Sequence, residues 1–371
     1  MASRRDFLSV AARSVPVLGA PSLAYALDPT GEILRTAPRA RYWTAEPDAR
    51  ARCQLCAQRC GIKPGDRGRC RTRMNVGGEL RSLVYGRPVA LNLDPIEKKP
   101  FYHFLPGSAA LSLGTAGCPL RCRFCQNWEM SQSAPEDHPP RFLPPGEIVS
   151  LADARRAPVI AFTYNEPTVF TEYLVDVARA GAGKGVRSVL VSCGFMNEAP
   201  LAEMTDVLAA IKIDLKGFSE SFYRDVCGAS LAPVLRSLKQ VARRGTHLEI
   251  VNLVVPTLND AEPQLRDLAD WVLGELGPDV PLHFTRFHPD FQLLNLPPTP
   301  VATLERGRDI ALAKGLRYVY VGNVPGHPGN QTYCPGCHKV VVGRSGFSVT
   351  EMNLRGGQCA FCGQKVAGVW A

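Results

Sequence analysis

Eleven of the 13 cysteines fall into three tight groups, and that grouping limits the possible folds more than any other feature of the chain. Thiols two or three residues apart are poor disulfide partners but good chelators, so each group is a place where backbone must close around metal. The central group, Cys118, Cys122 and Cys125, forms a C-x3-C-x2-C triplet in GTAGCPLRCRFCQNW. Three thiolates at that spacing can hold three corners of a [4Fe–4S] cluster, and no fourth cysteine follows at matching spacing. One iron would then stay open to a small molecule, whereas electron-transfer clusters are normally closed by four cysteines. A zinc knuckle is the competing assignment, but zinc sites usually pair two C-x2-C hooks. Phe124 and Trp128 flank the triplet and are candidates to shield it from water.

The first group, Cys53, Cys56, Cys60 and Cys70, has four thiols in the pattern C-x2-C-x3-C-x9-C, with Gly61, Pro64, Gly65 and Gly68 permitting tight turns. Zinc and an auxiliary iron–sulfur cluster both fit, since ligand softness does not choose between them; zinc is the expectation. The last group is two hooks, Cys334/Cys337 and Cys359/Cys362, with 21 residues between them. That is zinc-ribbon or rubredoxin-like spacing, for zinc or for iron in the same cage. Cys193 and Cys227 stand apart and read as packing residues.

A length of 371 residues allows one large α/β domain with small appendages. The net charge of +9 is scattered rather than gathered into a basic stripe with interleaved aromatics, which argues against nucleic acid as a partner. No stretch approaches the ~20 apolar residues of a membrane span. Ser3-Arg4-Arg5-Asp6-Phe7-Leu8 resembles a twin-arginine export signal, and Ala24-Tyr25-Ala26 a cleavage pattern, so residues 1–26 are expected to be a signal. A disordered basic terminus is the alternative. Polar, proline-containing residues 27–50 are expected to form a linker.

Beyond the four-cysteine module over 51–107, residues 108–326 alternate short β-branched runs with longer helical patterns. The strands expected are 110–115, 159–164, 188–192, 211–215, 248–255, 282–287 and 318–321. Helical periods run over 169–184, 233–244, 261–276 and 303–314. This alternation implies a parallel sheet with crossover helices, hence a TIM-like or partial barrel. Reacting groups in such a barrel gather at the C-terminal ends of the strands. The cluster loop, Asn165-Glu166-Pro167, Ser192-Cys193-Gly194, Asp214 with Lys216, and His288 all fall there. Asp214 and Lys216 share a strand face with the deeper Lys212; a plain salt bridge is the competing use. Glu166 could equally cap the helix opened by Pro167. His283, Arg286 and His288 crowd one strand and its end. Residues 327–371 form the third section, a zinc-ribbon-like module.

The triplet, with DPIEKKPFYHFLPGS, AFTYNEPTVF, IKIDLKGF, HFTRFHPDF and YVYVGNVPG, resembles radical S-adenosylmethionine enzymes, in particular the AmmeMemoRadiSam-system radical enzyme. It is also similar to the pyruvate formate-lyase activating enzymes. The resemblance runs from about Cys53 to the C-terminus. It implies an α/β fold, a partial (βα)6 TIM-like barrel flanked by small N- and C-terminal cysteine-rich metal modules. It also implies a [4Fe–4S] cluster on Cys118, Cys122 and Cys125, and S-adenosylmethionine chelating the open iron. Reductive cleavage of that cofactor would give a 5′-deoxyadenosyl radical that abstracts hydrogen from a substrate, which could be a residue of a protein. Glu166 matches the acid of the family's Gly-Gly-Glu-Pro motif, which contacts the methionine amino group, although Tyr164-Asn165 replaces the glycine pair. Asn165, Ser192 and His288 fall at cofactor-contacting positions, and Lys216 could meet the methionine carboxylate with Asp214 nearby. Reduced flavodoxin or ferredoxin is the implied electron donor, and Memo-like and AMMECR-like proteins the implied partners. The signal suggests export to the periplasm, whereas cofactor chemistry favours the cytoplasm. A non-catalytic iron–sulfur carrier and a small-molecule substrate are the alternatives.

Overall fold

All seven β-branched runs become strands of one sheet, with an eighth strand at its edge. The computed structural model describes residues 29–371; the expected signal over 1–26 lies outside them. The sheet comprises β1 (Ala90–Pro95), β2 (Ala109–Gly114), β3 (Val159–Phe162), β4 (Arg187–Ser192), β5 (Ala210–Asp214), β6 (His247–Val254), β7 (Leu282–Arg286) and β8 (Val319–Gly322), and neighbours in sequence are neighbours in space. Strands β2 to β8 run parallel, while β1 pairs antiparallel with β2, from Ala90↔Gly114 to Pro95↔Ala109. The sheet is open, with β8 and β1 as its edges. Both faces of a parallel sheet are covered, so its strands read as continuous apolar runs: all four residues of β3 and of β8 are buried.

Six helices fill the six crossovers: α1 (Pro145–Ala154), α2 (Thr171–Ala182), α3 (Glu198–Val207), α4 (Ala232–Arg243), α5 (Glu262–Leu276) and α6 (Val301–Lys314). Each turns an apolar stripe to the sheet. In α4 the buried residues are Val234, Ser237, Leu238 and Val241, at helical spacing. The architecture is therefore six βα units followed by β8 at the open edge of the sheet.

Residues 29–50 are folded rather than a linker. Helix Pro29–Thr36 is followed by strand Trp43–Glu46, which pairs antiparallel with Arg50–Cys53. Polar composition concealed this because the polar groups are taken up by distant partners. The Arg41 backbone N–H donates to Glu172 at 2.7 Å, its guanidinium meets Glu203, and Tyr42 OH donates to Glu203. The far boundary also moves. The four-cysteine module ends with the hairpin Arg73–Val76/Glu79–Ser82, and β1 after it already belongs to the sheet.

The C-terminal section is a three-stranded sheet, Thr332–Tyr333, Val340–Ser345 and Ser348–Met352, plus a small hairpin. It packs on the base of the barrel, where the strands begin. There Arg344, fully buried, donates to the Tyr102 carbonyl at 2.7 Å, and Val369 pairs with the backbone of residues 103–105. His103 meets Tyr320 OH at 2.5 Å, and Glu249 accepts from the N–H groups of Tyr102 and His103 while facing His247 and His283. His283 thus belongs to this buried floor and not to the mouth. Among the described residues no helix is long and apolar enough to cross a membrane.

Candidate active site

The loop after β2 carries the triplet, and several backbone bonds fix its path. Gly117 takes φ +86°, and a Cβ there would land on the Cys70 carbonyl and the Thr72 methyl, so this turn needs glycine. The Arg121 and Arg123 N–H groups donate to the carbonyls of Cys227 and Val226 (2.8 and 2.9 Å), and the Gln292 N–H donates to Arg123 (2.9 Å). Cys122 is buried, whereas Cys118 and Cys125 are partly exposed. Burial, then the charge of Glu166, pushes the Cys118 thiol well up, and burial raises Cys125. Cys122 moves the other way, because the thiol of Cys227 donates to its sulfur. Phe124 is buried beside the triplet, as a shield should be. Trp128 instead stands 39% exposed and stacks on Phe291 at 5.2 Å across the mouth.

Glu166, 2% exposed, joins the ends of β3 and β4. Its Oε1 accepts from the Thr168 N–H (3.1 Å), Thr168 Oγ1 (2.6 Å) and Ser192 Oγ (2.7 Å), and its Oε2 accepts from the Cys193 N–H (2.7 Å). The capping role is therefore present, and Oε2 keeps a free lone pair. Ser192 Oγ also accepts from the Gly194 N–H at 2.9 Å. Tyr164, which stands where the resemblance has glycine, holds φ +73°. A left-handed non-glycine residue costs about 1–2 kcal/mol; here Tyr164 OH donates to Asp94 at 2.7 Å, and Lys99 Nζ lies 4.4 Å from the centre of its ring. Asn165 turns to the cluster loop. Its Nδ2 donates to the Gly117 carbonyl (2.8 Å), with Thr115 Oγ1 and the Ala116 carbonyl at 3.2 and 3.3 Å, and its Oδ1 accepts from the Thr115 N–H (3.3 Å).

At the end of β5, Asp214 lies between Lys212, in direct contact, and Lys216 at 3.4 Å. Burial works to raise the Asp214 carboxyl, but the two ammonium groups prevail and hold it below the ordinary range. Within this cluster one acid stands between two bases. Lys216 Nζ stands 5.7 Å from the centre of the Phe124 ring, which ties it to the cluster loop. Its backbone is held by Tyr223 OH, which accepts its N–H (3.1 Å), and by Asn259 Nδ2, which donates to its carbonyl (2.7 Å). His288 is exposed on the loop after β7 and contacts the Pro289 carbonyl at 3.0 Å. Arg286 donates to the Thr299 carbonyl at 2.9 Å.

Residues 112–269 match the Radical SAM superfamily. An uncharacterized protein of Methanocaldococcus jannaschii is 41% identical over 329 residues, 88% of this chain and 98% of its own. The chain belongs to the radical SAM superfamily. The pyruvate formate-lyase-activating enzyme of Clostridium pasteurianum is 25% identical over 162 residues, 42% of this chain and 65% of its own. The crystal structure of a radical SAM methyltransferase from Sphaerobacter thermophilus matches with a TM-score of 0.47 and 17% identity, covering 60% of this chain and 67% of that one.

A radical SAM enzyme implies a [4Fe–4S] cluster and S-adenosylmethionine, and the donors present suit them. Three cysteines share one loop, with Ser131 Oγ 3.2 Å from Cys125 Sγ and acid and base side chains on adjoining strand ends. Among the described residues, Cys334, Cys337, Cys359 and Cys362 are the group whose Sγ atoms all lie within 4.8 Å of one another. The triplet is not such a group among the described residues. Cys227, read from sequence as packing, stands beside Cys122 and lowers its thiol. Nothing in its sequence position signals this, nor the parts that Tyr223 and Asn259 play at Lys216. The C-terminal four, with Cys334–Cys362 and Cys337–Cys359 sulfurs 3.5 and 3.7 Å apart, have the size of a single-ion cage.

Proposed function

We propose that this radical SAM enzyme acts as the AmmeMemoRadiSam resemblance implies: it generates a substrate radical on a protein partner. The convergence of the cluster loop, Glu166 and Lys216 at one end of the barrel is the observation that supports this most. A reduced [4Fe–4S] cluster on Cys118, Cys122 and Cys125, when bound with S-adenosylmethionine, supplies a 5′-deoxyadenosyl radical and methionine. Glu166 Oε2 offers its free lone pair to the methionine ammonium. Lys216, with Asp214 beside it, meets the carboxylate. Ser192 holds Glu166 in place, Asn165 fixes the loop, and His288 reaches the cofactor from the rim. Burial of Phe124 and Cys122 keeps water from the reacting centre. A one-electron protein donor, flavodoxin or ferredoxin, provides the electron.

A protein substrate, with Memo-like and AMMECR-like proteins as candidate partners, is supported by two features. The Clostridium pasteurianum relative is named for activating another enzyme. The rim also presents Trp128 and Leu294, 39% and 70% exposed, suited to a protein face. The test is anaerobic: reconstitute with iron and sulfide, add S-adenosylmethionine and dithionite, and quantify 5′-deoxyadenosine. Product that disappears when Cys118, Cys122 and Cys125 are changed together to alanine supports the proposal. No product from protein with a reducible cluster overturns it.

A further inference from the structure

Cys53, Cys56, Cys60 and Cys70 differ from the C-terminal hooks in their spacing, and the difference identifies their occupant. All four line one cavity, together with Arg69, Arg73 and Pro119. A tetrahedral zinc with Zn–S near 2.3 Å brings its sulfurs to about 3.8 Å from one another. The C-terminal four already have that spacing, with pairs at 3.5 and 3.7 Å. The N-terminal four surround a shared space, yet among the described residues they are not a set with every Sγ within 4.8 Å. Cys118, Cys122 and Cys125 likewise are not such a set. A cube of iron and sulfide interposes its own atoms between the thiolates and so holds them further apart than a single ion does.

A second observation concerns charge. Arg73 is fully buried and lines the cavity. Two of its nitrogens are satisfied, by the Arg41 carbonyl at 2.9 Å and Glu172 at 2.7 Å, but its Nε has no hydrogen-bond partner. A buried donor without an acceptor costs about 1–3 kcal/mol, and an anionic group inside the cavity would relieve it. Polar groups also meet the sulfurs themselves: the Arg69 N–H donates to Cys60 Sγ at 3.5 Å, and Thr72 Oγ1 and Cys70 Sγ share a hydrogen bond at 3.1 Å. Hydrogen bonds to ligand sulfur are a means by which proteins set cluster potentials.

We propose that these four cysteines bind a second [4Fe–4S] cluster, closed by four protein ligands, where zinc was the expectation from sequence. It lies against the catalytic loop: Pro119 shares its cavity, and the Arg69 carbonyl accepts from Arg121 at 2.5 Å. The catalytic cluster of the proposed function enters only as a comparison of spacing.

The test uses the full chain carrying Cys118→Ala, Cys122→Ala and Cys125→Ala, reconstituted anaerobically with iron, sulfide and zinc all present. Acid-labile sulfide is the deciding readout, because a single-ion cage in the C-terminal hooks contains none. The expected result is about four sulfides per chain and a reduced-cluster electron paramagnetic signal. Zinc with no labile sulfide in a variant that melts like the wild type would overturn the inference. Should the variant fail to fold, wild-type protein decides: about eight sulfides per chain support a second cluster, and about four refute it. Neither count depends on cofactor cleavage, so this inference and the proposed function can fail separately.

Discussion

Replacing Asn165 with alanine separates positioning the loop from touching the cofactor. The Asn165 amide has two N–H bonds and one acceptor oxygen engaged with residues 115–117, the shortest contact being 2.8 Å to the Gly117 carbonyl. Counting three effective hydrogen bonds at about 1 kcal/mol each, the variant loses about 3 kcal/mol of restraint on the segment leading into Cys118. A domain of ordinary stability survives that loss. If half of it is felt as displacement of Cys118 in the reacting geometry, cofactor cleavage slows about tenfold. The assay is anaerobic 5′-deoxyadenosine formation per loaded cluster, with cofactor affinity measured separately by equilibrium binding. The expected outcome is a rate down about tenfold with affinity within about twofold. An unchanged rate at full iron content would refute the positioning argument. Affinity weakened about tenfold at an unchanged rate would make Asn165 a cofactor contact instead.

Three further outcomes are expected. Glu172→Gln strands the buried Arg73 guanidinium and should destabilise the cluster-free protein by about 3–5 kcal/mol, read by urea unfolding; a change within about 0.5 kcal/mol would mean that water already reaches Arg73. Burial pushes His103 down to about 3, while an unfolded histidine titrates near 6.5. Below about 6.5 the unfolded chain therefore holds a proton that the native state refuses, so between pH 7 and pH 5 the wild type should lose about 2 kcal/mol more stability than His103→Gln. Parallel pH profiles of the two proteins would count against a neutral buried imidazole. Cys227→Ala removes the thiol that lowers Cys122 and should lower the catalytic cluster's reduction potential by roughly 40 mV, the one-electron equivalent of about 1 kcal/mol. Redox titration followed by electron paramagnetic resonance measures this, and an unchanged or higher potential would contradict the hydrogen bond.

The barrel was legible because its strands are buried on both faces, so runs such as Val159–Phe162 and Val319–Gly322 stand out from the polar text around them. Four helices carried a clear apolar period. Helices Pro145–Ala154 and Glu198–Val207 did not, being ten residues each with proline in or near the first turn. Edge strand Ala90–Pro95 ends in proline and was hidden among the residues of the preceding module. The folded segment over 29–50 was illegible for a deeper reason: its partners, Glu172 and Glu203, lie 131 to 162 positions away. In the site, cysteine spacing and the Glu166 and Lys216 motifs could be read directly. The turn of Asn165 toward residues 115–117, and the contact of Cys227 with Cys122, depend on how separate strands are brought side by side.

The floor of the barrel has a consequence for the order in which the molecule can be made. His103 is bonded to the carbonyl of Ala367, 264 positions later, and Val369 completes the backbone pairing of residues 103–105. Synthesis proceeds from the N-terminus, so every parallel strand has left the ribosome before the piece that seals their starting ends exists. Until then His103, Glu249 and His283 sit at an unsealed opening, where water can solvate them. The last dozen residues therefore act late in assembly. Shortening the chain at that end should leave the strands able to pair but a wet hole beneath them, with the damage appearing at the opposite end from the chemistry.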